Sequence, residues 1–137
     1  MITLTDFRKR LEVLCINKGS PCLPKKYEDQ QILFKSIILT FEPDKDYTEF
    51  EINNAITKWL AEIGRELDVD HVSLRRSLVD NRYISRDDEG RVYKVIKDRD
   101  ELFDPEINDL DPANIINEAL IRKEEKKREF LEKGKTE

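Results

Sequence analysis

Apolar positions along the chain fall into helical periods broken by short polar or proline-containing stretches. Phe7, Leu11, Leu14 and Cys15 share one face and predict a helix from about Thr5 to Asn17, with Gly19 as its stop signal. Its opposite face carries Arg8, Lys9, Glu12 and Lys18. The stretch from Gly19 to Pro24, with two prolines and a glycine, predicts an irregular connection. Tyr27 to Phe41 is dense in apolar residues (Ile32, Leu33, Phe34, Ile37, Ile38, Phe41), which predicts a largely buried helix, and Glu42-Pro43-Asp44-Lys45-Asp46 breaks it. Thr48 and Glu51 have capping-box spacing, so a third helix should begin there. Ile52, Ile56, Trp59 and Ile63 then give it a core-facing stripe, with Trp59 as the anchor.

Asp70 is placed to cap a shorter helix from His71 to Asp80. Beyond it, Tyr83 to Arg86 and Arg91 to Val95 are rich in β-formers, and Asp87-Asp88-Glu89-Gly90 predicts the loop of a hairpin. Three helices followed by a hairpin is the order of a winged helix-turn-helix domain, and the hairpin makes the reading more specific than a bare helix-turn-helix pattern. The expected fold is therefore mainly α with a small β-hairpin. Residues 1–22 form an N-terminal helix and connection, 23–97 the winged-helix domain, and 98–137 an acidic connector and a charged C-terminal helix. In the connector Leu102, Phe103, Ile107 and Leu110 are candidates to dock on the domain, and Asp111-Pro112 opens the last helix. That helix has an apolar face at Ile115, Ile116, Ala119 and Leu120, then eight polar residues from Arg122 to Glu129 that cannot be buried.

Composition narrows the class. A chain of 137 residues is one domain with short extensions, and 40% charged residues imply extensively solvated helices. No apolar run is long enough to span a bilayer and Met1 to Arg10 lacks the order of a signal peptide, so the expectation is a cytoplasmic protein without membrane contact. Cys15, Cys22 and the single His71 are too few and wrongly spaced for a structural zinc site, and both cysteines read as reduced thiols. No nucleophile elbow or phosphate-binding glycine loop is present, which argues against an enzyme; no cofactor is implied. The net charge of −5 divides unevenly, with +4 in residues 1–26, −4 in 27–97 and −5 in 98–137. An acidic central domain cannot bind nucleic acid through bulk charge, so any such contact has to rest on a local patch.

The residues also resemble a bacterial family, the domain of unknown function 2087. The likeness lies in Pro24-Lys25-Lys26, Tyr47-Thr48-Glu49 with Glu51-Ile52-Asn53, Leu74-Arg75-Arg76 with Leu78-Val79-Asp80, and Arg86, Gly90 and Tyr93, over residues 23–95. It implies a winged-helix module of the kind that occurs alone or joined to transcriptional regulator domains. Leu23 stands where the family favours an aromatic, and the stretch from Leu60 to Val69 is longer than the family's usual link.

Helical geometry separates the two adjacent arginines. With Leu74 at 0° and about 100° per residue, Leu78 falls near 40°, Arg75 near 100°, Val79 near 140°, Val72 near 160° and Arg76 near 200°. Arg75 lies within the apolar arc and is expected to pair with Glu49 or Glu51. Arg76 lies opposite, with Ser73 and Asp80, and is either a phosphate or base contact or one half of a surface pair with Asp80. His71, near 60°, points to the core side. Ser73, Arg76, Arg82, Arg86, Arg91 and Lys94 are the candidate DNA contacts, and the acidic hairpin tip opposes them. Two functions remain: a small transcription regulator that binds duplex DNA, dimerising through its terminal helices, or an acidic interaction module that binds protein through Phe103, Phe130 and Leu131.

Overall fold

The computed structural model describes residues 1–16 and 21–135. The first helix, α1, runs Leu4–Ile16, with the Thr3 hydroxyl accepting the Asp6 amide at 3.1 Å. The expected ending at Asn17 and Gly19, and the side chain of Lys18, lie outside the described residues. Helix α2 covers Tyr27–Ile38, three residues short of the predicted Phe41. It stops early because the chain tightens: the Thr40 and Phe41 amides donate to Ile37 and Ile38 carbonyls at 3.0 Å, and the Thr40 hydroxyl also donates to Ile37 at 2.6 Å. Phe41 is buried all the same, its ring 5.5 Å from that of Tyr47.

The predicted break from Glu42 to Asp46 runs into a strand that the sequence did not indicate. Asp46–Tyr47 (β1) pairs antiparallel with Tyr93–Val95 (β3), Asp46 opposite Lys94 and Tyr47 opposite Tyr93. Ile84–Arg86 (β2) pairs on the other side of β3, giving a three-stranded antiparallel sheet in the order β1-β3-β2. The expected hairpin is therefore present, shorter at both strands than the sequence indicates and extended by an edge strand from far upstream. The protein is mainly helical with this small sheet.

Helix α3, Glu49–Glu62, begins with the predicted capping box, in which Glu51 N–H meets Thr48 Oγ1 at 3.1 Å and Thr48 N–H meets Glu51 Oε1 at 3.2 Å. Its stripe of Ile52, Ile56 and Trp59 is buried and Ile63 continues it. The Trp59 indole N–H donates to the Ser36 hydroxyl at 3.1 Å, which fixes α3 against α2. The long link ends at Asp70, whose Oδ1 accepts the Ser73 amide at 2.6 Å and opens α4, His71–Asp80.

Residues outside the predicted domain share its core. Phe103 meets Phe7 edge-on at 6.4 Å, and Ile2 forms a parallel bridge with Phe103, so the start of the chain is pinned to the connector. Within that connector two short 3-10 turns, Asp100–Leu102 and Pro105–Asp109, bury Ile107. Asp111 accepts the Ala113 amide at 3.1 Å and starts α5, Pro112–Lys135. Ile115, Ile116 and Ala119 dock, and an Arg122–Glu12 ion pair of 2.5 Å ties α5 to α1. One cluster of buried side chains runs from Ile2 to Ala119, so α1, the connector and the start of α5 pack with the central helices. From residue 123 to 134 the helix is exposed.

Candidate nucleic-acid interface

Helix α4 buries only Leu74 and Leu78, and this narrow stripe decides what its other residues can do. His71 is half-buried at the first position. Val72, expected within the apolar arc, is 38% exposed, and Val79 is only half-buried. Ser73, Arg76 and Asp80 face solvent, and Arg75 lies at the edge of the buried stripe.

The adjacent arginines have different surroundings. Arg75 Nη1 donates to Asn53 Oδ1 at 2.6 Å and pairs with Glu49 Oε1 at 3.2 Å, while its guanidinium carbon sits 5.7 Å from the Tyr93 ring centre. It therefore joins α3, α4 and the sheet. Glu51, the other expected partner, is not in this cluster: its carboxylate is committed to the Thr48 cap and to Lys45 at 3.0 Å, and the Lys45 hydrogen bond, then the Thr48 amide, hold its carboxyl below the usual range. Asn53 completes the arginine's coordination and was not anticipated, since a neutral amide on a predicted helix gives no charge signal. Removing the side chain in Arg75→Ala should cost about 1–3 kcal/mol of stability, seen in the urea midpoint, as the Asn53 amide oxygen loses this donor.

Arg76 has no ion pair or hydrogen bond among the described residues, and the surface pair with Asp80 does not form. Four residues beyond the buried Leu78, the chain leaves α4 through a tight hydrogen-bonded stop. Arg82 N–H donates to the Val79 carbonyl at 3.1 Å and Tyr83 N–H to Leu78 at 2.9 Å, the paired bonds of a Schellman ending. The residue that must turn left-handed in that ending is usually glycine. Here it is Arg82, at φ 62°, the one non-glycine with positive φ among the described residues. Arg82 is exposed and unpaired, and Arg99 Nε donates to the Asn81 carbonyl at 2.8 Å just before it.

The hairpin supplies the remaining candidates. Gly90 takes φ 68° at its tip, and a Cβ there would lie 2.8 Å from Arg86 Nη2, so the Arg86 side chain lies over the turn. Asp87 organises the loop by accepting the Arg91 amide at 2.6 Å and the Val92 amide at 3.0 Å, bonds that hold its carboxyl below the usual range, the Val92 contact most strongly. Asp87 thus closes the turn from within, while Asp88 and Glu89 are exposed. Arg91 pairs with Glu89 at 3.3 Å and Lys94 with Asp46 across the strands at 3.6 Å. The six predicted DNA contacts divide accordingly: Arg76, Arg82 and Arg86 have no carboxylate partner among the described residues, Arg91 and Lys94 do, and Ser73 has its amide in the α4 cap.

The predicted partner-binding residues also divide. Phe130 and Leu131 are 78% and 55% exposed on α5, but Phe103 is 3% exposed. Phe103 is not available to a partner, because its ring fills the space between Phe7 and the ammonium of Lys35.

The family described as uncharacterized proteins conserved in bacteria (DUF2087) matches residues 22–95. The chain belongs to this family. The DUF2087 match begins at Cys22 and ends at the last residue of β3, so it takes in α2, β1, α3, α4 and the hairpin together with every predicted DNA-contact residue. Helix α1, the connector and α5 lie outside it. No curated protein and no solved structure matches the chain. No helix among the described residues is long and apolar enough to cross a membrane, and the described residues contain no cluster of three or more metal-ligating side chains.

Proposed function

We propose that this DUF2087 protein is a winged-helix transcription regulator of the bacterial cytoplasm that binds duplex DNA, with α4 in the major groove and the β2–β3 hairpin along the phosphate backbone. The succession α2, β1, α3, α4, β2, β3 supports the winged-helix reading, since the β2–β3 hairpin follows directly on the helix that would enter the groove. The observation that carries the proposal is Arg82. A left-handed backbone favours glycine, so an arginine there carries a conformational cost, and its side chain makes no ion pair among the described residues that offsets that cost within the fold. That side chain follows Arg76 at the end of the same helix and precedes Arg86 on the next strand, so three uncommitted cations bracket the α4–β2 junction. An acidic chain with such a patch binds locally and in a salt-dependent way, and needs neither cofactor nor catalytic group.

Fluorescence anisotropy with a mixed-sequence duplex at low salt tests this, using Arg82→Gly as the informative variant. Relief of the left-handed strain should raise stability by about 0.5–1 kcal/mol while affinity for DNA falls severalfold. A wild-type protein that does not bind duplex, or Arg76→Ala and Arg82→Gly proteins that bind like wild type, would overturn the proposal. A second reading, contact with a protein or a second copy of the chain, is favoured by Phe130 and Leu131, which are exposed on a helix that has left the core.

A further inference from the structure

Behind the hairpin, between α2, β3 and the connector, lies a cavity of about 370 Å³, within the size range of small-ligand sites. Its apolar lining is Ile38, Leu39 and Phe41 from the end of α2 and the turn after it, and Val95 and Ile96 from the end of β3. At its polar end is Lys35, only 5% exposed and the most deeply buried cation among the described residues. Burial lowers its pKa, and the charge of Asp100 opposes that shift without overcoming it. An ammonium has three donors. Asn108 Oδ1 accepts one at 2.8 Å, and the nearest carboxylate oxygen, on Asp100, is 3.8 Å away and too far for a hydrogen bond. The Phe103 ring, 5.4 Å from the nitrogen, meets the charge but accepts no strong hydrogen bond. Lys97 and Arg99 also line the cavity, and the Arg99 Nε bond to Asn81 leaves its two terminal nitrogens uncommitted. Three cations against the single carboxylate of Asp100 leave the polar end positive, beside walls that are apolar.

We propose that this cavity binds a small carboxylate with an apolar body, the carboxylate accepting from Lys35 and Arg99 and the hydrocarbon lying between Leu39 and Ile96. A neutral amide would accept from the ammonium but would not balance the positive charge and would make the weaker hydrogen bonds of an uncharged acceptor, and an ammonium ligand would be repelled. Because Ile96 donates to the Tyr83 carbonyl at 3.1 Å, and Tyr83 immediately follows Arg82, an occupied cavity abuts the segment joining α4 to the hairpin.

The test uses the full chain without nucleic acid, so its failure is separate from failure of DNA binding. Hexanoate, hexanamide and hexylamine are titrated in turn while the amide resonances of Val95 and Ile96 and the methyl groups of Leu39 are followed by NMR. Hexanoate should give saturable shifts at these positions, with hexanamide at least tenfold weaker and hexylamine inactive. Lys35→Met should remove hexanoate binding. Ile96→Trp, which fills the cavity and leaves Lys35 in place, should remove it as well and keeps the test decisive where the Lys35 variant fails to fold. Equal binding of hexanamide and hexanoate, hexanoate binding that survives Ile96→Trp, or no saturable shift with hexanoate would overturn the proposal.

Discussion

Trp59→Ala should destabilise the protein by about 3–5 kcal/mol, a large part of the roughly 5–15 kcal/mol that holds an ordinary domain together. Trp59 is 1% exposed, and its ring is held from two directions. On one side the indole N–H reaches Ser36 on α2. On the other the ring lies against Gly64, where a Cβ would stand 2.5 Å from Trp59 Cζ3, so the turn after α3 accepts no side chain without moving the tryptophan. Truncation opens a void at the junction of α2, α3 and the link to α4, which is the frame that sets the angle of α4. Urea unfolding should show a lower midpoint. Trp59→Phe separates the two contributions: it keeps most of the packing, and because Ser36 still donates to the Leu33 carbonyl at 2.6 Å, the lost hydrogen bond should cost only about 1 kcal/mol.

The second large effect is on DNA binding and its dependence on salt. Each phosphate neutralised by a side chain contributes about 0.9 to the slope of log affinity against log salt. If Arg76, Arg82 and Arg86 each meet one phosphate, the Arg76→Ala/Arg82→Ala/Arg86→Ala protein should have a slope shallower by about 2.7. Between 50 and 200 mM salt the wild-type protein would then lose about fortyfold more affinity than the variant. The comparison also weighs the acidic neighbours. Arg91 and Lys94 already have Glu89 and Asp46 as partners, so their removal should change the slope less than removal of the uncommitted arginines.

Local signals made much of this architecture legible. Thr48 with Glu51, Asp70 and Asp111 are caps whose partners lie two or three residues away, so their chemistry is complete within the sequence. The same holds for the hairpin around Gly90 and for the rotation that sends Arg75 inward and Arg76 outward. What escaped depends on residues far apart in the chain. The two-residue β1 is a strand only because Tyr93 and Lys94 come to lie beside it, and nothing near Asp46 indicates that pairing. Phe103 belongs to no periodic stripe, so as a lone aromatic in an acidic segment it fitted a partner surface as readily as a core, and only the packing of Phe7 and Ile2 decides. Arg82 gave no signal because left-handed turns are recognised by glycine or asparagine. Lys35 was hidden by the apolar run around it, since burial of a lysine requires the connector, more than sixty residues downstream, to supply Asn108 and Asp100.

The central claim, that α4 and the adjoining hairpin form the DNA-binding face, is tested most directly by titrating isotopically labelled protein with a mixed-sequence duplex at low salt and following every assigned amide. The shifts should concentrate at Ser73, Arg76, Arg82 and Arg86, with those of Phe130 and Leu131 unchanged. Shifts confined to α5, or an unaltered spectrum at saturating duplex, would contradict it.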